Sequence, residues 1–120
     1  MNNALAGAVI DAIPVPAILI DSSDRVVRAN AAAERAFGEG LAGRLYVLAL
    51  RQPDLRAAIE SAQREGRPAT TRHVLHAATQ DTVQQVTVSP VTGDGFSGVL
   101  CVFEDRSEQE VGAAPVGEGQ

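Results

Sequence analysis

The sequence is notable first for what it lacks: it contains no lysine and no tryptophan, and aromatic residues make up 3% of its 120 residues. Without lysine, Schiff-base chemistry and a phosphate-loop lysine are excluded. All ten basic residues are arginine, and fifteen acidic residues leave a net charge of −5. This charge repels a polyanion, and few rings are available to stack on bases. We therefore expect no nucleic-acid partner.

Cysteine and long apolar runs are also scarce. The single cysteine, Cys101, cannot form an internal disulfide, which is typical of a reducing compartment. The N-terminus lacks the basic segment of a signal peptide, and no apolar run approaches the roughly 18 residues of a membrane-spanning helix. Hydrophobic residues, at 45%, suffice for one domain with its own core. We expect a cytoplasmic domain, without membrane insertion by this chain.

The first part of the chain predicts a helix followed by a hairpin. Residues 3–12 carry apolar side chains at spacings of three and four, typical of a helix, and Leu5 and Val9 lie on its apolar side. Residues 17–20 and 25–29 read as two strands. A polar turn between them favours antiparallel pairing.

Two further helices are predicted in the middle of the chain. Asn30 is placed as the N-cap of a helix over residues 31–37. Residues 45–50 are apolar and ambiguous between a strand and a short helix. A longer helix begins near Pro53 and ends at Gly66, and we expect Glu60 and Arg64 to pair on it. Its apolar stripe consists of Leu55, Ala58, Ile59 and Ala62.

The remaining segments have the period of two that is typical of strands. Residues 70–77 and 82–89 are rich in Thr and Val, and residues 98–103 form the most apolar run of the chain. Together with the first hairpin they predict an α+β fold, a five-stranded antiparallel sheet with helices packed on one face. We expect residues 1–13 to form an N-terminal flanking helix, residues 14–110 the domain, and residues 111–120 a disordered tail.

Over residues 12–110 this order of elements resembles a PAS sensor domain. The stretches that carry the resemblance are residues 16–21 (PAILID), residues 25–34 (RVVRANAAAE) and residues 102–110 (VFEDRSEQE). In the last, Ser107 stands where the family usually has Thr in its Asp-x-Thr exit motif. Residues 50–59 (LRQPDLRAAI) further resemble the sensor domains of phosphate-regulon histidine kinases.

The resemblance implies a PAS sensory domain of a bacterial two-component histidine kinase. Such domains detect a small ligand or a regulatory protein, usually form dimers, and are not enzymes themselves. The implied signal exit is the last strand with Asp105, Arg106 and Ser107. The kinase core is expected to be absent after Glu110, since residues 111–115 oppose a continuing helix. The chain is then either a truncated sensor module or a stand-alone PAS protein. In the first case, the kinase to which it belongs could be anchored in a membrane.

Candidate sites follow from these elements. A homodimer contact is expected at Leu5 and Val9, because an amphipathic helix attached through two prolines needs a surface on which to bury them. A ligand pocket is expected between the sheet and the longer helix. Its plausible lining is Val47, Leu48, Leu55, Ile59, Leu75, Val86, Val88 and Leu100.

Other chemistries find little support in the residues. His73 and His76 are three apart in a strand and point to opposite faces, so we expect no metal site there. Cys101 lies in an apolar strand and is expected in the core. We predict no cofactor, neither haem nor flavin, and no catalytic residue. Two alternatives remain open: a small α+β enzyme with an apolar pocket, and a dimerisation module without a ligand.

Overall fold

The computed structural model describes residues 3–75, 79, 81–93 and 95–105. Within these described residues, three α-helices, one 3-10 turn and five strands follow one another. They are α1 (Asn3–Asp11), β1 (Ala17–Asp21), β2 (Val26–Ala29), α2 (Ala31–Phe37), the 3-10 turn (Tyr46–Leu48), α3 (Pro53–Glu65), β3 (Ala69–Leu75), β4 (Thr82–Gly93) and β5 (Phe96–Asp105).

The five strands form one antiparallel sheet in the order β2-β1-β5-β4-β3. The first and last strands in sequence therefore pair at its centre, where Ile18 lies opposite Cys101 and Leu19 opposite Leu100. Ile18 and Leu19 are both buried. The predicted α+β architecture is confirmed.

The two faces of the sheet are covered differently. On the inner face, side chains of β1, β4 and β5 pack with α2, the 3-10 turn and α3 in one core, in which Ile18, Ile59, Val88 and Phe103 are almost fully buried. The outer face packs against α1, whose Ile10 is 5% exposed. The sheet is thus sandwiched between the main core and the N-terminal helix.

The helix boundaries agree with the local chemistry. Asn30 caps α2 by accepting from the backbone N–H of Ala33, and Gly38 ends the helix. α3 begins with Pro53 in its first turn and ends at Gly66, which adopts the left-handed conformation with φ of 69°. The apolar stripe predicted on α3 is buried. The ambiguous segment over residues 45–50 contains the 3-10 turn.

Two local expectations were wrong. Glu60 pairs with Arg56, one turn earlier on α3, at 3.1 Å, whereas Arg64 lies 3.8 Å from Glu65. β4 does not end before Pro90 but continues to Gly93. A proline is tolerated there because the pairing of β3 with β4 ends at Val88, so the missing N–H breaks no ladder on that side.

Several predictions fall outside the described residues: the structure of Arg106 and Ser107, the disordered tail over residues 111–120, and the last two residues of the strand predicted over 70–77. Within the described residues, the helices are too short or too polar to cross a membrane.

Candidate sensory site

Asn30 connects three elements at the junction between α1 and the sheet. Its side-chain oxygen accepts from the N–H groups of Ala17, where β1 begins, and Ala33 in α2, at 3.1 and 2.9 Å. Its side-chain nitrogen donates to the carbonyls of Ile10 (3.3 Å), Ile13 (2.9 Å) and Val15 (2.9 Å). Asn30 is 1% exposed. Its role is therefore wider than the predicted helix cap.

A second contact holds α1 against β2. The carboxylate of Asp11 lies 2.6 Å from the guanidinium of Arg28, with both side chains about half-exposed. A side chain at Gly7 would meet that same guanidinium at 3.0 Å, so Gly7 allows helix and arginine to pack closely. The end of α1 is thus held by an ion pair as well as by Asn30.

The other side of α1 is uncovered. Leu5 is 62% exposed and Val9 57% exposed. These are the residues predicted to form the dimer contact, and the structure places neither against the sheet of its own chain. The outer face beyond α1 is also apolar and only partly buried. Its residues are Val91, Phe96, Leu100 and Val102.

The predicted pocket residues divide into four groups. Four of them meet in the core between α3 and the inner face and are fully buried: Leu55, Ile59, Val86 and Val88. Val47 and Leu75 are partly buried, whereas Leu48 is 56% exposed. Leu100 belongs to the opposite face, because strand residues alternate and Val99 and Cys101 take the inward positions. That Leu100 would face α3 was therefore wrong.

A polar pair interrupts the apolar inner face at the far end of β3 and β4. His73 and Gln84 are directly opposite each other, 5% and 6% exposed, with the His73 Nδ1 and Gln84 Oε1 atoms 3.2 Å apart. The imidazole ring meets the rings of Phe37 and Phe103 edge-on, at centroid distances of 5.5 and 5.4 Å. From the sequence, His73 was considered only as a metal ligand and rejected, and Gln84 was not singled out. Their inward position depends on the pairing of β3 with β4.

This polar pair continues toward the end of β5. Gln84 lies opposite His73 on one side and opposite Asp105 on the other. Directly opposite residues of antiparallel strands share a face and stand roughly 5 Å apart at Cβ. His73, Gln84 and Asp105 therefore form a row across three strands, here called the polar row. It ends at the aspartate of the predicted signal exit.

A cleft opens beside His73 at the edge of the sheet, between the end of α2, the segment before α3 and the end of β3. Its volume is about 340 Å³. We call it the β3-end cleft. Its lining is Ala36, Phe37, Ala49, Leu50, Arg51, Gln52, His73, Val74 and Leu75.

Gln52 fixes one wall of this cleft. Its side-chain amide donates to the carbonyl of Val74 at 2.6 Å and accepts from the Val74 N–H at 3.1 Å. The side chain thus pairs with the free edge of β3 as a neighbouring strand would. These two bonds hold the segment that precedes α3 against strand β3.

A second cleft, of about 380 Å³, lies between the end of α3 and the hairpin of β4 and β5. Both charges occur on it, from Glu60 and Arg64. The side-chain nitrogen of Gln63 beside it is buried with no hydrogen-bond partner among the residues the structure describes. Because side chains of both signs line it, this cleft does not select the charge of a ligand.

Two buried titratable groups have raised pKa values. Burial raises the pKa of the Cys101 thiol to about 12, which agrees with the core position predicted for it. Burial, followed by the nearby charge of Asp24, raises the pKa of Tyr46 to about 12. Both groups are protonated and neutral at physiological pH. Three or more potential metal-binding side chains do not cluster anywhere in the described part of the chain.

A sequence profile of the PAS fold family matches residues 10–111. The chain belongs to the PAS family. A search of curated proteins found no match. Residues 10–111 include every strand of the sheet and the end of α1, so the PAS match covers both faces described above.

Solved PAS structures share the fold at low sequence identity. The PAS domain of nitrogen regulation protein NR(II) from Vibrio parahaemolyticus has a TM-score of 0.67 and 18% identity, covering 84% of this chain and 97% of that one. A PAS domain from a two-component sensor histidine kinase has a TM-score of 0.55 and 11% identity, covering 85% and 94%. An RNA-binding light-oxygen-voltage receptor has a TM-score of 0.65 and 20% identity, covering 99% of this chain and 39% of that one.

The chain is thus a PAS domain, and its fold resembles that of a PAS domain from a two-component sensor histidine kinase. PAS domains are sensor modules and usually not enzymes. The finer resemblance of residues 50–59 to phosphate-regulon kinases stays a prediction.

Proposed function

We propose that this PAS domain is the regulatory sensor of a bacterial two-component histidine kinase. It detects a ligand or a partner protein, associates as a homodimer through α1 and the outer face of the sheet, and passes its signal out through β5 and Asp105, Arg106 and Ser107. Membership of the PAS family and the fold shared with a histidine kinase domain support this role. The expectation of a cytoplasmic location belongs to the same proposal.

The observation that carries the dimer is the exposed side of α1. Leu5 and Val9 stay in water although Ile10, on the same helix, is buried on the sheet. Transfer of a leucine or valine side chain out of water contributes about 1.5–3 kcal/mol. A second copy offers a matching surface, because Leu100 and Val102 leave part of its outer face open. A two-fold interface of this kind buries the same residues on both chains.

The output end is supported by the polar row. His73 and Gln84 are buried, while Asp105 is exposed at the end of β5. A shift of β3 against β4 changes the environment of Gln84, which lies opposite Asp105. The row therefore joins the wall of the β3-end cleft to the strand end from which the signal leaves.

A matched pair of variants tests the dimer. We expect Leu5→Glu with Val9→Glu to convert the dimer to a monomer in sedimentation velocity at micromolar concentration, because two carboxylates must then be buried. Leu48→Glu is the control, since Leu48 is 56% exposed but lies in the 3-10 turn on the other side of the sheet. The proposal is contradicted if the α1 variant sediments as wild type, or if both variants dissociate equally. We also expect deletion of residues 1–12 to weaken the dimer, but the deletion removes the Ile10 carbonyl from Asn30 and so perturbs the fold as well.

The filled core favours a second candidate, a dimerisation module without a ligand. Leu55, Ile59, Val86 and Val88 are fully buried where the sequence predicted a pocket. A ligand must then bind at a cleft on the surface or not at all. Native mass spectrometry separates the two candidates, because a bound ligand adds mass to the folded protein that is absent from the denatured chain.

A further inference from the structure

The charges and the apolar surface of the β3-end cleft indicate which ligand it suits. We propose that this cleft binds a small monocarboxylic acid with a hydrocarbon or ring body. The inference rests on the proposed sensory function and adds to it the position and the chemical class of the ligand.

The charge in the cleft is positive. Arg51 is the only arginine, and no aspartate or glutamate occurs, among the described residues that line it. The Nε atom of Arg51 donates to the carbonyl of Leu48 at 3.3 Å. That bond orients the side chain at the rim and leaves the terminal nitrogens to pair with a carboxylate, the anion that the planar guanidinium matches best.

The rest of the lining is mostly apolar. Phe37 is partly buried, Leu50 is 2% exposed, and Leu75 is partly buried where β3 ends. A volume of about 340 Å³ lies near the lower end for small-molecule sites. It equals roughly eleven water molecules in the liquid. The cleft therefore suits one ring or one short chain.

The polar atoms in the wall are already engaged, which argues against a strongly polar ligand such as a sugar. The amide of Gln52 bonds both backbone atoms of Val74, and the imidazole of His73 bonds Gln84. One charged group and an apolar body remain as the features that the cleft recognises. A phosphate ester or a dicarboxylate would place a second negative charge against apolar carbons.

The cleft also lies where binding can be sensed. His73 forms part of its wall and is the first residue of the polar row, which continues through Gln84 to Asp105. The apolar part of a ligand packed against Phe37 would contact the same ring that meets His73 edge-on. Occupancy would thus act on the buried end of the row.

The test is a titration of the ¹⁵N-labelled full chain with benzoate and with hexanoate, and in parallel with the neutral benzamide and hexanamide. We expect saturable amide shifts at His73 and Leu75 with the carboxylates, and roughly tenfold weaker binding of the amides. Arg51→Gln should weaken the carboxylates by a similar factor and leave the amides unchanged. Arg44→Gln is the matched control, because Arg44 lies beside β2 at the opposite edge of the sheet.

The proposal is overturned if neither carboxylate shifts the cleft residues, if carboxylates and amides bind equally, or if Arg51→Gln behaves as Arg44→Gln does. None of these results affects the dimer, which the variants of Leu5 and Val9 test separately. A wild-type chain that is monomeric and still binds the carboxylates would contradict the proposed assembly and support the cleft.

Discussion

Replacing Asn30 by alanine tests the junction that holds α1, β1 and α2 together. The change removes the cap of α2, which is worth about 1 kcal/mol. It also leaves the N–H of Ala17 buried without its acceptor, at about 1–3 kcal/mol. Three carbonyls lose a donor as well. We expect Asn30→Ala to lower the free energy of unfolding by about 3–5 kcal/mol, a large share of the stability of a small domain.

Two further substitutions divide this loss into its parts. Asn30→Ser keeps a short acceptor for the cap and should recover about 1 kcal/mol of it. Asn30→Asp keeps both accepted bonds but turns a carboxylate toward three carbonyl oxygens, so burial and repulsion raise the pKa of the introduced carboxyl. A raised folded pKa favours folding at low pH, and that contribution is lost as the pH rises through it. Asn30→Asp should therefore be closer to wild type at about pH 6 than at about pH 8.

The assay is urea denaturation followed by far-ultraviolet circular dichroism, with the free energy of unfolding obtained by linear extrapolation. This role of Asn30 is contradicted if Asn30→Ala loses less than about 1 kcal/mol of unfolding free energy, or if Asn30→Asp is destabilised equally at both pH values. The first result would reduce Asn30 to a simple helix cap. The second would show that no buried carboxylate faces the carbonyls.

Three more outcomes are expected. Gly98→Ala should lower the free energy of unfolding by about 3 kcal/mol or more, since its Cβ would meet the backbone carbonyl oxygen of Ile20 where β5 pairs with β1. Ser97→Ala, at the exposed neighbouring position, should change that free energy by less than about 0.5 kcal/mol. Equal effects of the two variants in urea denaturation would contradict the close packing of Gly98 on Ile20. Iodoacetamide should leave Cys101 unmodified in the native protein at about pH 8 and alkylate it in urea, because burial raises the pKa of its thiol to about 12. If mass spectrometry shows that the native protein is alkylated as fast as the unfolded protein, the thiol is accessible and this expectation is contradicted. Gln52→Ala should speed hydrogen exchange at the edge of β3, because it removes the two hydrogen bonds between the Gln52 side chain and the backbone of Val74. Unchanged protection of the Val74 amide would contradict a role for Gln52 in holding this edge.

The architecture was predictable because local periodicity and global pairing agree. The stripe of α3 and the cap at Asn30 are set by residues only a few positions apart. Where the chain is apolar throughout, periodicity loses its phase. Residues 98–103 are apolar at nearly every position because β5 has one face in the main core and the other in the partly buried outer cluster, so the sequence did not reveal that Leu100 faces outward.

The candidate site was less predictable because it depends on contacts distant in sequence. The polar row requires the register of β3 with β4 and of β4 with β5, which no local pattern contains. The cleft requires Gln52 to reach Val74, 22 positions later in the chain. The spacing of Leu5 and Val9 placed them on one side of α1. The inward orientation of Ile10 and Gly7 depends instead on distant contacts, which are the bond from Asn30 to the Ile10 carbonyl and the packing of Arg28 on Gly7.

Native mass spectrometry of the purified chain at micromolar concentration measures assembly through α1 without any label. We expect an ion at twice the 12.5 kDa mass of one chain for the wild type, and a single-chain ion when Leu5→Glu and Val9→Glu are combined. A wild-type protein found only as single chains would contradict this assembly.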